Sequence, residues 1–145
     1  MAKIGSKMTI TATNKEEIAV VKEQDVVPMR NRVKEYAVRV QMSILNQTKL
    51  ITAASELVRN LLKYGGGGKV IIELVSNGRD NGVRLTFEDK GPGIPDVALA
   101  MKDGFSTGRS LGLGLPGTKR LVNEFEIRSI VGKGTTVVIT KWKNG

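Results

Sequence analysis

A chain of 145 residues with 40% hydrophobic but only 4% aromatic residues is the size of one ordinary domain, 1–145, built around an aliphatic core. It has no cysteine and no histidine, which excludes disulfides, thiolate or imidazole metal sites, Ser-His-Asp chemistry and a phosphoacceptor histidine of its own. Its 23 Lys+Arg against 14 Asp+Glu give a formal charge of +9, but these residues are scattered rather than interleaved with aromatics. The charge therefore suits an anionic small molecule or an acidic protein better than nucleic acid.

The start, Met1 to Met8, has lysines but no apolar h-region, and no apolar run approaches the roughly 18 residues of a membrane span. No membrane association is expected, and a soluble cytoplasmic domain is. Residues 8–13 and 17–22 read as two short strands around the turn Thr13-Asn14-Lys15. Asp25 can cap a helix that tolerates Pro28 in its first turn, with Val26, Met29, Val33, Tyr36, Ala37, Val40 and Ile44 at helical spacing. Asn46 can cap a second helix whose apolar face is Leu50, Ile51, Ala54, Leu57, Val58 and Leu61, stopped by Gly65–Gly68.

Strands 69–76 and 82–89 follow, joined by turn chemistry at Asn77–Asn81. The stretch 91–118 is glycine-rich, with one short helix expected at 96–103. A helix at 115–123 and strands 124–131 and 135–142 around Gly132-Lys133-Gly134 complete the chain. Helices and strands are partly segregated, which predicts an α+β fold with helices layered on one face of a mixed sheet.

Glu56 and Asn60 stand four apart and share one face of the second helix, away from its apolar stripe. Such a pair is a solvated polar face unless a nucleotide site lies beside it; there, a carboxylate base and an amide oxygen fit for Mg²⁺ would stand together. Asp89-Lys90-Gly91-Pro92-Gly93 follows directly on a strand. An aspartate at a strand end can accept a hydrogen bond from an amino group, and the glycines let a ligand approach the backbone.

Gly112-Leu113-Gly114-Leu115-Pro116-Gly117 formally matches GxGxxG, but it follows a loop rather than a strand and has too little chain after it for a Rossmann unit. Walker A fails because Thr118-Lys119 reverses the required order. What survives is a phosphate loop running into a helix N-terminus, with Arg109, Lys119 and Arg120 beside it as candidate charge partners. Gly132-Lys133-Gly134-Thr135, taken alone, is a hairpin turn.

The order Glu56-x-x-x-Asn60, Asp89-x-Gly91-x-Gly93, Gly112-x-Gly114 and Gly132-x-Gly134-Thr135 resembles the N, G1, G2 and G3 boxes of the GHKL superfamily. Its members include anti-sigma-factor kinases, histidine-kinase catalytic domains, gyrase, Hsp90 and MutL. The resemblance implies the Bergerat fold, a two-layer α/β sandwich, and binding of ATP with Mg²⁺. It implies Glu56 as general base, Asn60 as Mg²⁺ ligand and Asp89 on the adenine amino group. Gly91 belongs to the same box as Gly93, which would pack close to the purine; Gly112 and Gly114 would border the ATP lid. Thr135 would support Asp89 or an adenine-bound water, and Arg109 is the choice for the γ-phosphate.

Within the superfamily, Ser55–Asn60, Glu88–Asp96, Asp103–Thr107 and Gly112–Gly117 are similar in wording to the small serine/threonine switch kinases of the RsbT type. That likeness runs over nearly the full length and includes a short lid. It implies phosphorylation of Ser/Thr on STAS-domain antagonists of a stressosome, and activation of a PP2C-type phosphatase by the released kinase. Anti-sigma kinases of the RsbW and SpoIIAB kind share the boxes, so sequestration of a sigma factor is the alternative. A homodimer through the N-terminal strand, as in some anti-sigma kinases, is a further expectation.

Overall fold

The computed structural model describes residues 9–102 and 114–145. A five-stranded sheet, in the order β1-β2-β3-β5-β4, is built from β1 (Thr11–Val20), β2 (Gly68–Ser76), β3 (Asn81–Asp89), β4 (Glu124–Ile130) and β5 (Gly134–Trp142). The helices are α1 (Val26–Arg39), α2 (Ile44–Lys63), the single turn α3 (Val97–Ala100) and α4 (Gly114–Leu121). The α+β class and the one-sided layering of helices stand as expected.

The mixed sheet does not: among the described residues every pairing is antiparallel. The cause is the connection between β1 and β2. A single helix would return the chain for a parallel strand, whereas α1 and α2 form a helical hairpin that goes out and comes back. Gly68 therefore pairs with Val20, where β1 ended, and β2 runs the other way. The pairs β2–β3 and β4–β5 are simple hairpins.

The two N-terminal strands are one. Asn14, expected in a turn, takes φ 49 and is absorbed as a bulge, the register slipping between Thr13 and Lys15 while β1 stays paired to β2 throughout. The caps also moved. Asp25 occupies the N-cap position of α1, but its carboxylate turns back to accept from the amides of Val21 and Lys22 (2.9 and 3.1 Å). Ser43, not Asn46, caps α2, its hydroxyl accepting from the Asn46 amide at 3.1 Å. Ile44, read as the end of the first helical stripe, instead opens α2 and is 74% exposed.

The core lies between the helices and the sheet. Met29, Val33 and Ala37 of α1 and Leu50, Ala54, Leu57, Val58 and Leu61 of α2 pack on Val70, Ile72, Val83, Leu85, Phe87, Val137 and Ile139. In β3, alternation puts Val83, Leu85 and Phe87 on this face, and Asp89 follows them at the strand's end. The opposite face carries ion pairs such as Arg84 with Glu73 at 3.0 Å. Among the described residues no helix is long and apolar enough to cross a membrane.

Glu16 joins β1 to α1. Its carboxylate accepts from both the Nε and an Nη of Arg32, and from the Tyr36 hydroxyl at 3.0 Å. The Arg32 hydrogen bonds, foremost, hold the Glu16 carboxyl below its ordinary range against the opposing effect of burial. A carboxyl whose folded pKa is depressed stabilises the fold above its unfolded pKa, and that contribution is lost as pH falls through the folded value. Glu16→Gln should therefore flatten the fall of stability on acidification through and below about pH 4, read by urea unfolding at a series of pH values. An acid limb identical to that of the unsubstituted protein would show that the pair contributes nothing to it.

Candidate active site

The C-terminal end of α2, the start of α4 and the β3/β5 end of the sheet surround a cavity of about 570 Å³. Its walls are mostly apolar, with Leu57, Leu61, Phe87, Ile94, Leu99, Leu115, Ile127 and Val137 among them. Asn60, Asp89 and Thr135 stand among these walls as polar groups, and Gly93 and Gly114 line the cavity too. Five of the expected positions thus converge from five separate elements and loops.

Asp89 is oriented by the backbone around it. Its Oδ1 accepts from the amides of Gly91 (2.9 Å) and Thr135 (3.3 Å). The carboxylate lies against the Gly65 backbone: a Cβ there would stand 2.5 Å from the Asp89 Cγ, so no side chain fits. Among the described residues Oδ2 accepts no hydrogen bond. An apolar slot with one carboxylate oxygen open to a donor suits a flat heterocycle carrying an amino group.

The loop 90–95 is held by the β4–β5 hairpin. The Gly132 amide donates to the Pro92 carbonyl (2.8 Å), and the Ile94 amide to the Ser129 hydroxyl (2.7 Å). Ser129 and Thr135 hydroxyls lie 2.7 Å apart, so one network links this loop, β4 and β5. Gly132 is a hairpin turn, and it also anchors the loop beside the cavity. Gly93, at φ 82, packs so closely that a Cβ would be 2.5 Å from the Ile130 carbonyl oxygen. Gly93→Ala should thus lift the loop off the hairpin and weaken ATP binding by at least about tenfold in a calorimetric titration. Unchanged affinity would mean that the loop does not shape the nucleotide site.

Not every expected residue lines the cavity. Glu56 does not; its carboxylate is paired with Arg59 at 2.5 Å. Gly91 abuts Gly65, and its part is the amide it gives Asp89. Lys119 and Arg120 sit in the last turn of α4, away from the helix start that borders the cavity. Arg109 and Gly112 lie outside the described residues.

Gly65 and Ser129 join the site beyond the expected residues. In the sequence Gly65 is a helix stop, and its close approach to Asp89 depends on strand pairing. Ser129 had a signal: Phe125, Ile127 and Ser129 alternate along β4, so a polar residue falls on the inward face.

Residues 45–144 match the family of histidine kinase-, DNA gyrase B-, and HSP90-like ATPases. The chain is 41% identical over 125 residues to the serine/threonine-protein kinase RsbT of Bacillus subtilis (strain 168), covering 86% of this chain and 94% of that protein. It is 30% identical over 125 residues to an anti-sigma F factor of Thermoanaerobacter sp. (strain X514), covering 83% and 87% respectively. A crystal structure of the RsbU and RsbW domains of a Mycobacterium tuberculosis protein superposes with TM-score 0.63 at 20% identity, which shows the fold alone. That match covers 89% of this chain, which spans 32% of the other. With this fold and these matches, the chain belongs to the histidine kinase-, DNA gyrase B- and HSP90-like ATPase family.

Proposed function

We propose that this ATP-dependent serine/threonine protein kinase transfers the γ-phosphate to a Ser or Thr of a STAS-domain antagonist in bacterial stress signalling. Once released, it binds and activates a PP2C-type phosphatase. The reading places it in the cytoplasm as a partner-switching domain. The observation that carries the nucleotide half is Asp89, anchored through Oδ1 and open at Oδ2 in an apolar cavity. The 41% identity to RsbT supports the partner half.

In this reading Asp89 accepts from the adenine amino group, Gly93 lets the purine approach the backbone, and the Thr135 amide holds the Asp89 carboxylate in place. Backbone amides where α4 begins, at Gly114, would face the phosphates. The residues present fit Mg²⁺ as well. Asn60 lines the cavity and offers an amide oxygen to it. The Asn60 amide oxygen is a hard donor, as Mg²⁺ requires, and substrate phosphate oxygens and water would complete the ion's shell. The chemistry a bound Mg²⁺ would supply there is neutralisation of charge on the phosphates. Glu56 takes the proton from the acceptor hydroxyl as its oxygen bonds to the γ-phosphorus and ADP leaves. Arg109 and Gly112 are proposed beside the phosphates.

The 30% identity to an anti-sigma F factor favours a second reading, a kinase that sequesters a sigma factor and phosphorylates its antagonist. One experiment separates them. The chain is incubated with labelled ATP and STAS-domain proteins of the same genome, then tested for binding to PP2C-type phosphatases and to sigma factors. Label on a STAS protein with stimulation of the phosphatase is expected. Tight capture of a sigma factor with no effect on any phosphatase would favour the second reading, and no labelled STAS protein would defeat both.

A further inference from the structure

Glu56 and Arg59 are one turn apart on α2, and between and beside them Leu57 and Asn60 line the cavity. The Glu56 side chain is only 12% exposed, while Arg59 is 45% exposed and brings a guanidinium nitrogen to 2.5 Å from Oε2. Among the described residues this is the one hydrogen bond the Glu56 carboxylate makes. As a contribution to stability, an ion pair with one exposed partner is worth little. Its geometric effect is larger. A glutamate has three rotatable side-chain bonds, and one charge-assisted hydrogen bond selects among them.

We propose that Arg59 is a positioning residue for phosphoryl transfer: it holds the Glu56 carboxylate in one direction beside the cavity-lining Leu57 and Asn60, without touching nucleotide. The inference rests on the reading of Glu56 as base. Proton abstraction demands that the carboxylate stand within hydrogen-bond reach of the acceptor hydroxyl, and a displacement of an ångström is enough to slow it severely. Arginine suits the task because its rigid fork fixes direction as well as charge, and its exposed shaft lets it follow the carboxylate without burying an unpaired cation.

Transfer from labelled ATP to a STAS-domain acceptor, measured with R59A, R59K, E56Q and the E56Q/R59A double variant, tests the assignment. R59A should lower kcat about tenfold to a hundredfold. KM and Kd for ATP should stay within about twofold, and Tm within about 4 °C. R59K, which keeps the charge but not the rigid fork, should recover only part of the loss, and R59A should cost nothing further in the E56Q background. Wild-type kcat in R59A with E56Q inactive would overturn the positioning role and leave the base intact. Wild-type kcat in E56Q would overturn the base and the positioning role together. A loss of ATP affinity in R59A, or an equal loss of rate in both backgrounds, would show that Arg59 acts on the nucleotide directly.

Discussion

Asp89→Asn is expected to weaken ATP binding about 100-fold or more while leaving the fold intact. The two consequences follow from the two oxygens. Oδ1 accepts from the Gly91 and Thr135 amides, and the asparagine carbonyl can keep both bonds, so the loop and β5 stay in register. The amide nitrogen is then left in the place of Oδ2, where a donor now meets the adenine amino group. Removing a hydrogen bond to a charged acceptor costs about 1.5–3 kcal/mol, and the opposed donors add a desolvation penalty. Three kcal/mol is already more than 100-fold in Kd. Calorimetric titration with ATP reads the affinity, and urea unfolding checks the fold. Wild-type affinity in a folded variant would remove Asp89 from the nucleotide site and the pocket assignment with it. Loss of ATP binding alongside wild-type capture of the phosphatase would separate the two halves of the proposed function.

What could be read in advance followed local periodicity. The alternation of Val83, Leu85 and Phe87, and the stripe Leu50, Ala54, Leu57 and Leu61, name β3 and α2 with their buried faces, because burial on one face is a local constraint. Sheet direction is not local. Whether β2 runs with or against β1 depends on α1 and α2 packing as a hairpin, and that depends on the break at Gln41, whose φ of 61 no spacing rule announces. The unity of β1 was hidden for a related reason: Asn14 has the chemistry of a turn, and only pairing along the whole of β2 makes it a bulge.

The site divides in the same way. Asp89-x-Gly91-x-Gly93 could be recognised as a loop open to a ligand, but that α2 brings Asn60 into the same cavity rested on the likeness of four boxes, not on any residue's chemistry. Ser129 and Gly65 escaped because their parts come from neighbours: a hydroxyl shared with Thr135 across a ladder, and a bare backbone beside a carboxylate. The Glu56–Arg59 pair, at i, i+3, stood in plain view, yet on a helix such spacing is ordinary surface chemistry.

Glu56→Ala should lower phosphoryl transfer by about 10²- to 10⁴-fold, the range a general base supplies, with ATP affinity and partner binding unchanged. Glu56 does not line the cavity that Asp89 and Asn60 share, so truncating it leaves the nucleotide contacts in place. Nor does truncation strand a buried charge. Arg59, the partner left behind, is 45% exposed and can turn into water, unlike a buried cation whose loss of a partner is costly. Alanine is moreover the best helix former, so α2 loses nothing in propensity. The stability change should stay within about 1 kcal/mol by urea unfolding. A transfer rate equal to wild type would defeat the base assignment. A variant that binds neither ATP nor the phosphatase would show instead that Glu56 is structural, for then the loss could not be charged to proton transfer. The decisive pattern is a folded, ATP-binding, phosphatase-binding protein that no longer phosphorylates its STAS partner. On the proposed function it would also divide the switch into its parts, because a kinase unable to release itself by phosphorylation should stay on the proposed antagonist however much ATP is supplied.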